Sequence, residues 1–120
     1  MIELIPDMPA NVVAFTASGQ VTGEDYENII VPLVDNKIAE HDKIRLLYHL
    51  GPAFKKFTTT ALWDDAKIGF HHLRGFERVA VVSDVGWVVT MAKGIGLTMP
   101  IEVRTYSNEA LDEAKAWISG

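Results

Sequence analysis

The chain contains no cysteine. Disulfides, thiolate metal sites and a cysteine nucleophile are therefore excluded, and a reducing compartment suits it. It lacks an apolar run of about 18 residues, so no membrane-spanning helix is expected. Basic residues are also short: 11 Lys and Arg stand against 16 Asp and Glu, for a net charge of −5. Nucleic-acid binding rests on a surplus of cations over phosphate, so nucleic acid is not an expected partner. The N-terminus, MIELIPDMPANVV, has no basic stretch followed by an apolar core. No signal peptide is expected, and the expected location is cytoplasmic.

What is present fits one globular domain. At 120 residues the chain can bury one core but not two, and its 48% apolar and 22% charged content is ordinary for a soluble fold. The charge is unevenly spread. Residues 1–42 hold eight acids and one lysine, whereas residues 43–104 hold nine bases and five acids. An anion would be best tolerated in that middle segment.

The patterning predicts alternating strands and helices. Ile2–Ile5 and Val12–Ala17 read as two strands in a hairpin, separated by the turn-forming PDMPAN. Thr22 is the expected N-cap of a helix whose apolar stripe runs through Tyr26, Ile29, Ile30, Leu33, Val34 and Ile38. Pro32 lies inside that stripe, where it has no N–H to offer residue 28, so the helix should kink or open locally. Lys43–Leu50 is a nearly continuous apolar strand, followed by a Gly51-Pro52 break and a helix over Thr60–Leu73. Arg78–Asp84 is another buried strand, and Ser83 or Asp84 is the expected cap of the helix Val85–Leu97. A strand at Ile101–Tyr106 and a helix capped by Ser107 close the chain. Strands alternating with helices imply right-handed crossovers and a parallel sheet.

Ligands of open α/β sheets gather beyond the carboxyl ends of the strands. The candidate site residues follow from that rule: His49, Lys56, Thr58, Thr59, Thr60, Trp63, Ser83, Asp84 and Trp87. The three threonines precede a helix, and Lys55 and Lys56 precede them, so a helix cap is the simplest role and an anion site the sharper one. His49 could be a general base, although a histidine bonded at the edge of the core is the simpler reading. No metal site is expected. His71 and His72 are adjacent and point about 100° apart on a helix, and the HExxH spacing is missing. No Ser-His-Asp arrangement or nucleotide fingerprint is present, so neither catalytic residues nor a cofactor are assigned. Trp87, Val88, Val89, Met91, Ile95 and Leu97 leave the Val85–Leu97 helix apolar on most sides. Burial, a dimer contact or the wall of an apolar pocket would each satisfy it, with Phe54, Phe57, Trp63 and Phe70 available as an opposite wall.

The element order, the DKIRLLYHL strand, the FERVAVVSDVGWVVTMAKGI segment and the closing EVRTYSNEALDEAKAWI resemble the SpoIIAA-like proteins of bacteria. These share a fold with STAS domains, the domain of anti-sigma-factor antagonists, and more distantly with CRAL-TRIO lipid-binding domains. The resemblance covers essentially the whole chain. It implies a single α/β domain: an N-terminal β-hairpin, then a β-α superhelix with a mostly parallel, roughly five-stranded sheet. It also implies a regulatory or ligand-binding role, and since no paired acid and base appear at a motif spacing, a non-enzymatic one is expected. The expected partner is an unidentified protein or a small apolar or anionic ligand, in a homodimer. A carrier of an apolar or lipid-like molecule is the alternative, and a hydrolytic enzyme using His49 ranks last. Antagonist STAS domains carry an Asp-Ser-Ser-Gly type motif where a serine is phosphorylated. The matching slot here is KKFTTTAL, which has no Asp-Ser pair and no glycine after the hydroxyls, so no phosphosite is assigned.

Overall fold

The structure, a computed structural model, describes residues 1–58, 60 and 75–120. Apart from Thr60, the helix expected over Thr60–Leu73 lies outside the described residues, as do Thr59, Trp63, His71 and His72. Among the described residues five strands form one sheet in sequential order: β1 (Ile2–Leu4), β2 (Val12–Val21), β3 (Ile44–Phe57), β4 (Phe76–Val82) and β5 (Glu102–Tyr106). β1 pairs antiparallel with β2, as the hairpin reading expects, and every other pairing is parallel.

The first helical stretch begins where expected. Thr22 Oγ1 accepts the Asp25 N–H at 3.2 Å, and Asp25 Oδ2 accepts the Thr22 N–H at 2.9 Å. This reciprocal box satisfies two amides at the helix start. The stretch has three parts: α1 (Gly23–Asp25), a π-helical turn (Tyr26–Ile30) and α2 (Val31–Glu40). The local opening expected from Pro32 is that π turn. It lies just ahead of the proline, which then occupies the first turn of α2, where a missing N–H costs little.

Side chains alternate across the sheet. On one face Val13, Phe15, Ala17, Ile44, Tyr48 and Leu50 pack with Tyr26, Ile30 and Val34. Helix α3 (Gly86–Thr98) adds Val88 to the same core. On the other face Val12, Ala14, Leu47, Ala80 and Val82 pack against Ala114 and Ile118 of α4 (Leu111–Ser119). The alanines at this contact let helix and sheet approach closely. The end of α4 is pinned by arginines from the strands beneath it. Arg78 donates to the Trp117 carbonyl at 3.0 Å and Arg45 to the Ile118 carbonyl at 3.1 Å. Cations here satisfy terminal carbonyls and oppose the negative end of the helix dipole. Arg78 and Arg104 also lie over the Trp117 ring, 5.2 and 4.7 Å from its centroid.

Two expectations are corrected. The Gly51-Pro52 pair does not end β3, which runs on to Phe57. Ala17 pairs with Leu50 and Gly19 with Phe54, so β3 takes four steps against two on β2. That irregularity gives Pro52 a place without a ladder N–H. Gly19 answers it with a φ of +60°, which a β-carbon would strain. The second correction concerns the start of α3. Its N-cap is Val85, with no side-chain hydrogen bond from the cap residue.

Candidate functional site

The expected site residues that are described do not converge on one pocket. The described ones fall into three places, two of them on opposite faces of the sheet.

The first is polar and lies on the α4 face. His49 sits on β3 one residue from Tyr48 and Leu50, so strand alternation turns it to the opposite side. Its Nδ1 lies 3.0 Å from Thr16 Oγ1 on the neighbouring strand. Gly51 lies beside the ring, where a β-carbon would stand in ordinary van der Waals contact, 3.4 Å from His49 Cε1. Burial lowers the His49 pKa below its usual 6.5, and the Lys115 charge lowers it further. The Asn108 side chain pulls the other way by favouring the charged ring. Asn108 Oδ1 is nevertheless buried without a hydrogen bond.

Ser83 and Asp84 border this cluster without capping α3. Ser83 is buried, and its Oγ accepts the Val85 N–H at 3.0 Å in a tight turn. Asp84 Oδ1 instead accepts the Asn108 N–H at 3.0 Å, at the 3-10 turn Asn108–Ala110 that leads into α4. It takes the role that Ser107 was expected to fill, since Ser107 makes no side-chain cap bond. Thr16 and Asn108 were not singled out from the sequence. Asn108 directly follows Ser107, the expected cap of the last helix, whereas Thr16 has no sequence signal beyond its strand.

The second place holds Thr58 and Thr60. They line a shallow depression with Thr22, Gly23, Glu24 and Glu27. Two carboxylates beside these hydroxyls oppose an anion. Lys56 is exposed and pairs in register with Gln20, outside that depression.

The third place is an apolar groove on the opposite face from His49, between α3 and strands β3 and β4. It is lined by Tyr48, Leu50 and Phe57 from β3, Val81 from β4, and Trp87, Met91 and Ile95 among others from α3, with a volume of about 90 Å³. Aromatic rings shape it. Phe57 meets Trp87 and Tyr48 edge-on, at 5.9 and 6.2 Å, and Phe54 at a tilt, at 4.9 Å. Below it, the Tyr26 and Tyr48 hydroxyls lie 3.0 Å apart. Of the residues expected to form an opposite wall, Phe57 lines the groove and Phe54 packs against Phe57, whereas Trp63 and Phe70 lie outside the described residues. Trp87 keeps 47% of its surface exposed, so the groove is open on the α3 side.

This arrangement of sheet and helices has known counterparts. The SpoIIAA-like family model matches residues 12–119. The chain belongs to the SpoIIAA-like family. A crystal structure from Shewanella loihica PV-4, an uncharacterized protein of the DUF3478 family with a SpoIIAA-like fold, superposes with a TM-score of 0.79. It is 26% identical, over 98% of this chain and 93% of that one. No curated protein matches. This SpoIIAA-like domain has, among its described residues, no group of three or more His, Asp or Glu able to hold a metal ion. No helix among them is long and apolar enough to cross a membrane.

Proposed function

We propose that the chain is a non-enzymatic, STAS-like regulatory domain of a bacterial cytoplasm that binds an apolar group in the groove beneath Trp87. The supporting observation is the groove itself: an almost wholly apolar cleft at the carboxyl ends of β3 and β4, with a half-exposed tryptophan at its mouth. Size favours the end of a partner protein's side chain, or a small ring inserted only in part. Pockets for drug-sized ligands run to roughly 300–1,000 Å³, and even a cavity of about 150 Å³ takes only a benzene. The carrier reading requires a lipid-like chain to lie along the open side rather than inside. The enzyme reading has less support, because the neighbours of His49 at the hydrogen-bonding edge, Thr16 and Asn108, are neutral.

The test is 19F NMR of protein labelled with 5-fluorotryptophan, its Trp87 line assigned with Trp87→Phe. Indole and octanoate are titrated, and a saturable shift of the Trp87 line is expected. Met91→Glu puts a charge at the groove mouth on a half-exposed position and should abolish that shift. If neither probe moves the Trp87 line, and native mass spectrometry after lipid loading shows only bare protein, the groove is not a binding site.

A further inference from the structure

We infer that the outward face of α3 is the contact between two copies of this chain, and that the second copy closes the open side of the groove. The inference deepens the groove reading, since it names what covers that side.

Successive residues of a helix turn by about 100°. Val88 and Ala92 point into the core, and Gly96 packs on Val103 of β5. The outward centre of α3 is then Thr90, Gly94 and Thr98. Trp87, Met91 and Ile95 form one flank, 47%, 50% and 39% exposed, and Leu97 stands on the other at 89%. The centre offers almost nothing to water. Thr90 Oγ1 donates back to the Gly86 carbonyl at 3.0 Å, and Thr98 Oγ1 to that of Gly94 at 3.2 Å. A β-carbon on Gly94 would meet nothing, so an incoming helix could approach closely there.

Charge and area point to a second copy as the occupant. The chain carries −5, so two copies repel wherever their acids face each other. Of the helices described, α1 carries Glu24 and Asp25, α2 carries Asp35 and Glu40, and α4 carries Asp112 and Glu113. Helix α3 has no acid and one lysine, Lys93. It would give a charged partner little to recognise, and it lets a like-charged copy approach. With about 200 Å² for each large side chain, the exposed parts of Trp87, Met91, Ile95 and Leu97 amount to roughly 450 Å² per copy. Two such patches with their rims reach the ~1,000–1,200 Å² at the small end of specific interfaces.

A two-fold axis parallel to the helices sets the Leu97 flank of each copy against the Met91–Ile95 flank of the other. It also sends the two Lys93 side chains to opposite sides. Leu97 of the second copy then reaches the rim of the groove. The contact is self-complementary, as a closed dimer requires.

Sedimentation equilibrium of the full chain from about 1 to 500 µM tests this. A dimer is expected, and Leu97→Glu should weaken it at least roughly a hundredfold, because it sets a carboxylate against the apolar Met91–Ile95 flank of the other copy. Leu97 is so exposed that the variant should fold, which its melting curve verifies. Leu4→Glu, exposed on β1, should leave the dimer unchanged. Because the chain has no cysteine, Gly94→Cys should form a disulfide-linked dimer on mild oxidation, while Glu109→Cys should not. A wild type that is monomeric throughout, or that associates only with another protein, overturns the inference, and so does a dimer indifferent to Leu97→Glu. If monomeric Leu97→Glu still shows the octanoate shift at Trp87, the groove stands independently of the dimer. A dimer whose Trp87 line never responds removes the groove and keeps the interface.

Discussion

Two glycines two residues apart in α3 separate helix propensity from packing. Gly94 faces open space, whereas a β-carbon on Gly96 would stand 3.0 Å from Cβ and 3.5 Å from Cγ2 of Val103. Replacing either by alanine gains the same backbone term, about 0.8–1.0 kcal/mol in a helix interior. Gly94→Ala should keep that gain. Gly96→Ala should lose it and more, because overpacking a tight contact costs about 1–3 kcal/mol. Val103 is β-branched and its Cβ is fixed to the backbone of β5, so it cannot swing away. The variants should differ by about 1–3 kcal/mol, or several degrees in melting temperature for a domain of this size. Urea unfolding at low protein concentration measures the difference without a contribution from association. Equal stabilisation by both alanines would refute the reasoning, since it would mean that the contact between α3 and β5 is not tight. The same contact holds α3 at its distance from the sheet and so sets the width of the groove. Gly96→Ala should therefore also move the 19F line of Trp87.

The other predictions concern pH, an anchor and a cap. The folded His49 pKa lies below its unfolded value of 6.5, so the native state binds fewer protons between the two values. His49 thus contributes stability that is fully present above pH 6.5 and is lost as pH falls through the lowered pKa. His49→Gln should flatten the rise in stability between pH 5 and pH 7 in urea titrations, and an unchanged slope would contradict the burial argument. Arg78→Ala removes a hydrogen bond to the end of α4 and one of two cations over Trp117. It should cost about 1–2 kcal/mol and speed hydrogen exchange in the last turn of α4. Unaltered exchange there would show that the anchor contributes nothing. Thr22→Ala should cost about 0.5–2 kcal/mol by opening the capping box, and Thr22→Ser should restore most of it in thermal melts.

The sheet was legible because apolar strands alternate with amphipathic helices. Thr22 opens its helix, and Pro32 disturbs the backbone just ahead of itself. The run of β3 through Pro52 was not legible. A Gly-Pro pair normally breaks a strand, and only the irregular pairing against Gly19 reveals that this one is absorbed. The division of His49 from Trp87 was half legible. Period two separates His49 from Tyr48 and Leu50, but which face α3 covers is a tertiary fact. The capping exchange escaped for a similar reason: Asp84 reaches Asn108 across 24 positions of sequence, a link that no local pattern encodes.

The outermost strands of the sheet bear on how the protein behaves when crowded. β1 is three residues long. β5 is five, and it carries Glu102 and Arg104, with Glu102 in ion-pair distance of both Arg78 and Arg104. A stranger's strand that tried to extend the ladder at β5 would have to lie beside those charges, and at β1 it would find few amides to pair with. Open-ended growth into fibrils is therefore discouraged at both margins. A concentrated solution should clear itself of aggregates by stopping at small closed species, and its turbidity on gentle heating should rise only once the sheet itself comes apart.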